Sequence, residues 1–215
     1  MRYAAPVDST AAPVPTAWGD AEGRQRDILA SAEQILAESG YAALTMRAIA
    51  AGAGVSSGTV YQYFGGKEDV FAALMARRLD ELRASLDAAD RGLGIAGLLR
   101  EILPQVTELW RRLGRSAPQW EAKVLAGGPR GKGLVASATV YRRTIQALGR
   151  ALAETAQAHG QVLLDDPAVP FWVWDSLIGL ADDLLHGGAQ QGRVRPKRLV
   201  EFGTSAIERG IVAPG

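Results

Sequence analysis

Arg47, Ser57, Gly58 and Thr59 carry the groups best suited to one chemistry in this chain, the reading of base-pair edges. A guanidinium can bond guanine O6 and N7 together, while a threonine offers a hydroxyl to a base and a methyl to thymine. The short side chains of Ser56, Ser57 and Gly58 would let a helix backbone approach the bases closely. Just beyond them, Tyr61 and Tyr63 carry hydroxyls that can reach phosphates, and Lys67 stands where another helix begins. At such a helix start, a lysine charge and the unpaired N–H groups favour a phosphate together. Each group also has a plainer reading. Ser56 can simply cap a helix, Tyr61 can be half core with a wet hydroxyl, and Arg47 can be a solvated helix residue.

These groups read a groove only if a helix carries them there, and residues 44–75, LTMRAIAAGAGVSSGTVYQYFGGKEDVFAALM, have that layout. Thr45 can cap a helix whose apolar positions are Ala48, Ile49 and Ala53. Gly52 and Gly54 supply the flexible backbone of a turn, and Val55, Val60 and Phe64 belong to a small core. Gly65-Gly66 stop the second helix, and Lys67 opens a long third one to about Asp90. Upstream, Ile28, Leu29, Ala32, Ile35 and Leu36 recur at helical spacing, so an amphipathic helix is expected over 22–38, ended by Gly40. This is the arrangement of a helix-turn-helix that lays a recognition helix in the major groove.

The rest of the chain also reads as helical, near 95–113, 117–126, 133–158, 170–188 and 196–210, with Pro104 expected to kink or split the first. Residues 127–133, GGPRGKG, read as a loop, and no stretch alternates convincingly enough for a strand. The expected fold class is all-α. An Ala- and Pro-rich arm over 1–20 precedes a three-helix DNA-binding unit at 21–68 and a larger helical domain at 69–215.

With these motifs in place, the segment resembles the DNA-binding domain of the TetR family of bacterial transcriptional repressors. The resemblance rests on Gly40-Tyr41, Leu44-Thr45, Ile49-Ala50, Ala53-Gly54-Val55, Ser57-Gly58-Thr59-Val60-Tyr61, and Tyr63-Phe64 followed by Lys67-Glu68. It is strong over about 24–75 and beyond that rests on helix number and length. It implies a homodimer whose larger domain holds a small-molecule inducer and whose helix-turn-helix binds a double-stranded operator. By position it puts Thr45, Tyr61, Tyr63 and Lys67 on phosphates, and Arg47, Ser57, Gly58 and Thr59 near base edges. Gly65-Gly66 depart from the family, where a polar or basic residue is common.

Composition limits the alternatives. The chain of 215 residues is 47% hydrophobic, enough for a real core, and has no cysteine for a disulfide or thiolate site. No signal peptide or apolar run of spanning length is present, so a cytoplasmic protein without a membrane partner is expected. The net charge is +1, and residues 22–78 hold six basic and six acidic side chains, so binding cannot rest on a basic patch. Gly92 to Gly97 match GxGxxG by letter, but a charged helical stretch precedes them where a dinucleotide site needs a strand. His159 and His186 form no HExxH pattern, so no metal, cofactor or catalytic centre is expected.

The larger domain is less explicit. Trp110, Trp120, Tyr141, Trp172 and Trp174 could line an apolar ligand pocket or merely fill a core. Trp172 and Trp174 cannot share one face of a helix. Leu177, Ala181 and Leu184 lie on one apolar stripe, and Leu199, Phe202, Ala206 and Ile207 on another. With small residues along the seam, the two stripes suit either core or a bundle between two subunits. The expected function is an inducer-released repressor. An architectural DNA-binding protein, or a small-molecule-binding protein with a vestigial helix-turn-helix, stays open.

Overall fold

A computed structural model describes residues 21–114, 116–117 and 132–214. The first helix, α1 (Ala21–Ala43), buries Ile28, Leu29, Ala32 and Leu36 and breaks at Gly40, whose φ of 72° few other residues adopt. Then come α2 (Met46–Gly52), α3 (Ser57–Tyr63) and α4 (Lys67–Ala88). A 3-10 turn, Arg91–Leu93, leads into α5 (Gly94–Leu109), which ends in a π-helical turn, Trp110–Gly114. The remaining helices are α6 (Lys132–Ala158), α7 (Val169–His186), the short α8 (Gly188–Gln191) and α9 (Pro196–Ile211). The only extended pairing among the described residues is an isolated bridge between Leu163 and Val212.

One buried cluster runs through both halves. Val70, Phe71 and Leu74 at the start of α4 and Leu79, Leu82 and Leu86 further along it all belong to this cluster, and Phe71 meets Tyr41 of α1 edge-on at 5.5 Å. The helix α4 therefore crosses position 68 without interruption. It lies along α6, where the Thr144 hydroxyl donates to the Leu79 carbonyl at 3.3 Å. The GxGxxG segment is a turn opening α5, with helix α4 before it, as the charged sequence implies.

Several expectations are corrected. Pro104 does not split α5, which runs through it to Leu109. The proline is on the exposed side, where water can bond the Arg100 carbonyl that lacks its usual N–H. Helix α6 begins at Lys132, one residue before the expected start. The expected arm at 1–20, the helix near 117–126 beyond Ala117, and Trp120 lie outside the described residues. Gly54 is the turn glycine, with φ 65°, whereas Gly52 is helical. The role of Gly52 is close packing: a Cβ there would collide with Ser31 Oγ, which donates to the Ile49 carbonyl at 3.0 Å. Gly52→Ala should therefore destabilise the fold by about 1 kcal/mol, the worth of one buried hydrogen bond. A thermal melt showing no loss would remove that role.

Candidate nucleic-acid interface

Local capping fixes the two short helices. The Thr45 side chain accepts from the Ala48 N–H at 3.1 Å, and Ser56 accepts from the Thr59 N–H at 3.0 Å. Val60 is completely buried and Phe64 nearly so, which locks one face of α3 to the core and leaves the other outside. The outer positions of α3 are Gly58, Tyr61 and Gln62, with Ser57 and Thr59 half-buried.

Arg47 is exposed on α2 and has no ion pair or hydrogen bond among the described residues. Its guanidinium is available to an outside acceptor. The Thr59 and Ser56 hydroxyls lie 2.9 Å apart, so the threonine side chain is oriented before any ligand arrives. Gly58 has ordinary helical backbone, and a Cβ there would meet only Ser56 Oγ, at 3.6 Å. The fold itself has room for a side chain at position 58. Tyr61 is 57% exposed, a correction to the half-core reading, and Tyr63 is half-buried against the core.

Lys67 is more constrained than its sequence position suggests. Its Nζ lies 4.5 Å above the centre of the Tyr41 ring and donates to the Tyr41 carbonyl at 3.4 Å. The ammonium thus sits at a defined place beside α3 and α4. Burial, reinforced by the neighbouring Glu68 charge and hydrogen bond, holds the Tyr41 phenol well above its usual pKa, so it stays neutral. Gly65 donates its N–H to Asp69 at 3.1 Å, which caps the turn into α4 without a side chain at 65. Tyr41 as the seat of Lys67 was not foreseen, since the pair is 26 residues apart and neither neighbourhood advertises it.

Charge in this module is sorted by burial. Glu33, with a side chain only 9% exposed, is paired with Arg77 and Arg78 of α4. Those arginines also meet Glu81. The other basic residues between positions 22 and 78 are Arg24, Arg26, Arg47 and Lys67.

Residues 28–74 match the family model for bacterial regulatory proteins of the tetR family. The N-terminal module is a TetR-family domain. The HTH-type transcriptional regulator HbdR of Aromatoleum sp. (strain CIB) is 35% identical over 72 residues, which is 34% of this chain and 31% of HbdR. The chain thus matches less than a third of that relative's length. Solved structures share the whole fold. A transcriptional regulator from Rhodococcus sp. Rha1 superposes with a TM-score of 0.64 at 22% identity, covering 88% of this chain and 99% of that one. A TetR-family protein from Vibrio parahaemolyticus gives 0.61 at 22% identity, covering 89% and 100%. In the TetR-type module, Arg47, Ser57, Gly58 and Thr59 all fall inside the matched segment, as do Thr45, Tyr61, Tyr63 and Lys67.

Beyond the TetR-type module, the expected pocket aromatics are dispersed. Trp174 is buried and meets Tyr141 edge-on at 6.2 Å, while Trp110 donates from its indole N–H to Asp182 at 2.8 Å. Trp172 faces the opposite way and is 48% exposed. It lines a groove of about 450 Å³ between α7 and α9, with Leu180, Leu199 and Ala206. The stripe residues divide too. Leu177, Ala181 and Ile207 are buried, whereas Phe202 is exposed and Leu184, Leu199 and Ala206 are partly so. The glycines of α9 pack close to α7. A Cβ on Gly203 would strike Leu180, and one on Gly210 would press on Trp172, both from α7 of the same subunit.

Among the described residues, no group of acidic or histidine side chains could hold a metal, and no helix is long and apolar enough to cross a membrane.

Proposed function

We propose that the chain is a sequence-specific DNA-binding transcriptional regulator, acting in the cytoplasm as a repressor that a small-molecule inducer releases from its operator. The observation that carries this reading is the outer face of α3. It offers a pre-oriented Thr59, a glycine the fold does not require at 58, and an uncommitted Arg47 on the adjoining helix. In this reading Arg47, Ser57, Gly58 and Thr59 meet base edges, and Thr45, Tyr61, Tyr63 and Lys67 meet phosphates. Residues 21–68 form the reading unit and 69–215 the regulatory one.

Two such units engage one duplex when the subunits pair, with half-sites about one helical turn apart. The outer side of α7 and α9 suits that pairing, because Trp172 lines an apolar groove there and Phe171 and Phe202 are exposed on the same two helices. An inducer acts only by binding the release conformation more tightly than the operator-bound one. Trp110, Tyr141 and Trp174 are the aromatic candidates for its site.

Selection of bound duplexes from random DNA by the full-length protein tests the reading. A palindromic consensus is expected. Retention of all sequences alike would instead mean an architectural protein, and retention of none a vestigial helix-turn-helix.

A further inference from the structure

The contacts of the π-helical turn reach in two directions. On one side, Arg112 Nη1 lies 3.3 Å from Glu33 on α1, inside the DNA-binding module. On the other, Trp110 Nε1 donates to Asp182 Oδ1 on α7 at 2.8 Å. Asp182 is also 3.1 Å from His186 Nδ1. The turn is held closed by a size match: the Trp110 ring lies where a Cβ on Gly114 would be. Isolated π turns are rare and concentrate at functional sites, and re-closing one as α-helix swings its side chains about the axis by as much as ~100°.

Glu33 is held by three guanidiniums, two of them from α4. Arg77 is 2.7 Å away, Arg78 donates through Nε at 2.9 Å and again through Nη2, and Arg112 completes the set. If Arg112 swings off, Glu33 keeps both α4 arginines, and Arg112 keeps Glu108, its partner on α5. Breaking this contact strands no buried charge. Losing the only partner of a buried carboxylate is strongly destabilising, whereas this exchange is cheap in either direction. The Asp182 side chain is half-exposed, so water can take the place of the Trp110 N–H when that contact opens. The Arg112–Glu33 contact, backed up at both ends, is one that can be made and broken within the folded state.

We propose that the π-helical turn Trp110–Gly114 couples the regulatory domain to the DNA-binding module, with Trp110–Asp182 as its regulatory-side contact and Arg112–Glu33 as its DNA-side contact. The proposal rests on the DNA-binding reading for its purpose but not for its test. A change at α7 repositions the turn, the turn repositions Arg112, and α1 loosens or tightens against α4. Trp110, Arg112 and Asp182 are positioning residues in this scheme, since none of them lies on α2 or α3.

Hydrogen exchange on the full-length protein tests it. Asp182→Ala removes an acceptor whose side chain is half-exposed, so the fold should persist. Amides of α1 at residues 28–36 should then exchange roughly fivefold faster, the effect of one lost hydrogen bond on a local opening. Trp110→Phe, which keeps the ring and removes the N–H, should do the same. In an Arg112→Gln background neither change should have a further effect on α1. An α1 exchange rate unmoved by Asp182→Ala and Trp110→Phe, or effects that merely add to that of Arg112→Gln, would overturn the coupling. Because exchange needs no DNA, a failed operator selection would refute the DNA reading and leave this result standing by itself.

Discussion

Arg47→Ala should relax the base preference at one position of each half-site and weaken operator binding by about 1–3 kcal/mol, a factor of roughly 5 to 150. The expectation follows from what Arg47 lacks. Every other arginine on α4 or the π turn is tied to an acid: Arg77 and Arg78 to Glu33, Arg83 to Asp80, Arg111 and Arg112 to Glu108. Arg47 is exposed and unpaired among the described residues, so its removal leaves no orphaned partner inside the protein. Stability should consequently change by less than ~0.5 kcal/mol, as for an ordinary surface substitution. The measurement is a parallel binding titration against the selected operator and its single-base variants, together with a melt. If affinity fell equally for all variants, Arg47 would be a phosphate contact. If neither affinity nor preference moved, it would play no part in recognition.

Gly58→Ala should move folding and binding in opposite directions. Glycine in a helix costs up to ~1 kcal/mol relative to alanine. Position 58 has no positive φ, and the added methyl would make only an ordinary contact with Ser56 Oγ. The variant should therefore melt at the same temperature or higher. Operator binding should nevertheless weaken, because a methyl forced into a close-packed contact typically costs ~1–3 kcal/mol. A glycine that weakens its own helix without an internal reason is explained by something that approaches from outside. Unchanged operator affinity in a stabilised Gly58→Ala protein would mean that the backbone of α3 is not in close contact with DNA. Gly52 makes the control, since its methyl meets Ser31 inside the module and should reduce stability.

The DNA-binding unit was legible because its signals are local. Thr45 and Ser56 cap helices that begin one residue later, Gly54 makes the turn beside them, and Val60 falls on the one face that α3 buries. The misread glycine, Gly52, owes its role to Ser31, which is 21 positions upstream and which no local pattern could nominate. The same limit explains the stripes of α7 and α9. Periodicity says that Leu177, Ala181 and Ile207 share faces with their apolar neighbours, but not whether those faces meet their own subunit or another. All three are buried within the single chain. Pro104 was judged from the missing N–H alone, and only the exposure of its side of α5 shows why the helix continues. Glu33 was least legible of all. In sequence it is one acid among six in the module, and its partners at 77, 78 and 112 come together only in the folded chain.

That carboxylate bears on how freely the module can be exchanged. Helices α1 to α3 contain nothing basic that neutralises Glu33; the three arginines that do so all lie further along the chain, one of them past α5. A graft of residues 21–68 onto a foreign helical domain would carry the acid across and leave its counter-charges behind. The portable unit is larger than the part that touches DNA. It must bring the first three turns of α4 with it, and the recipient must offer a guanidinium where the Trp110–Gly114 turn now stands. Regulators assembled from such parts would inherit their DNA preference from α2 and α3 but their compatibility from this one buried acid.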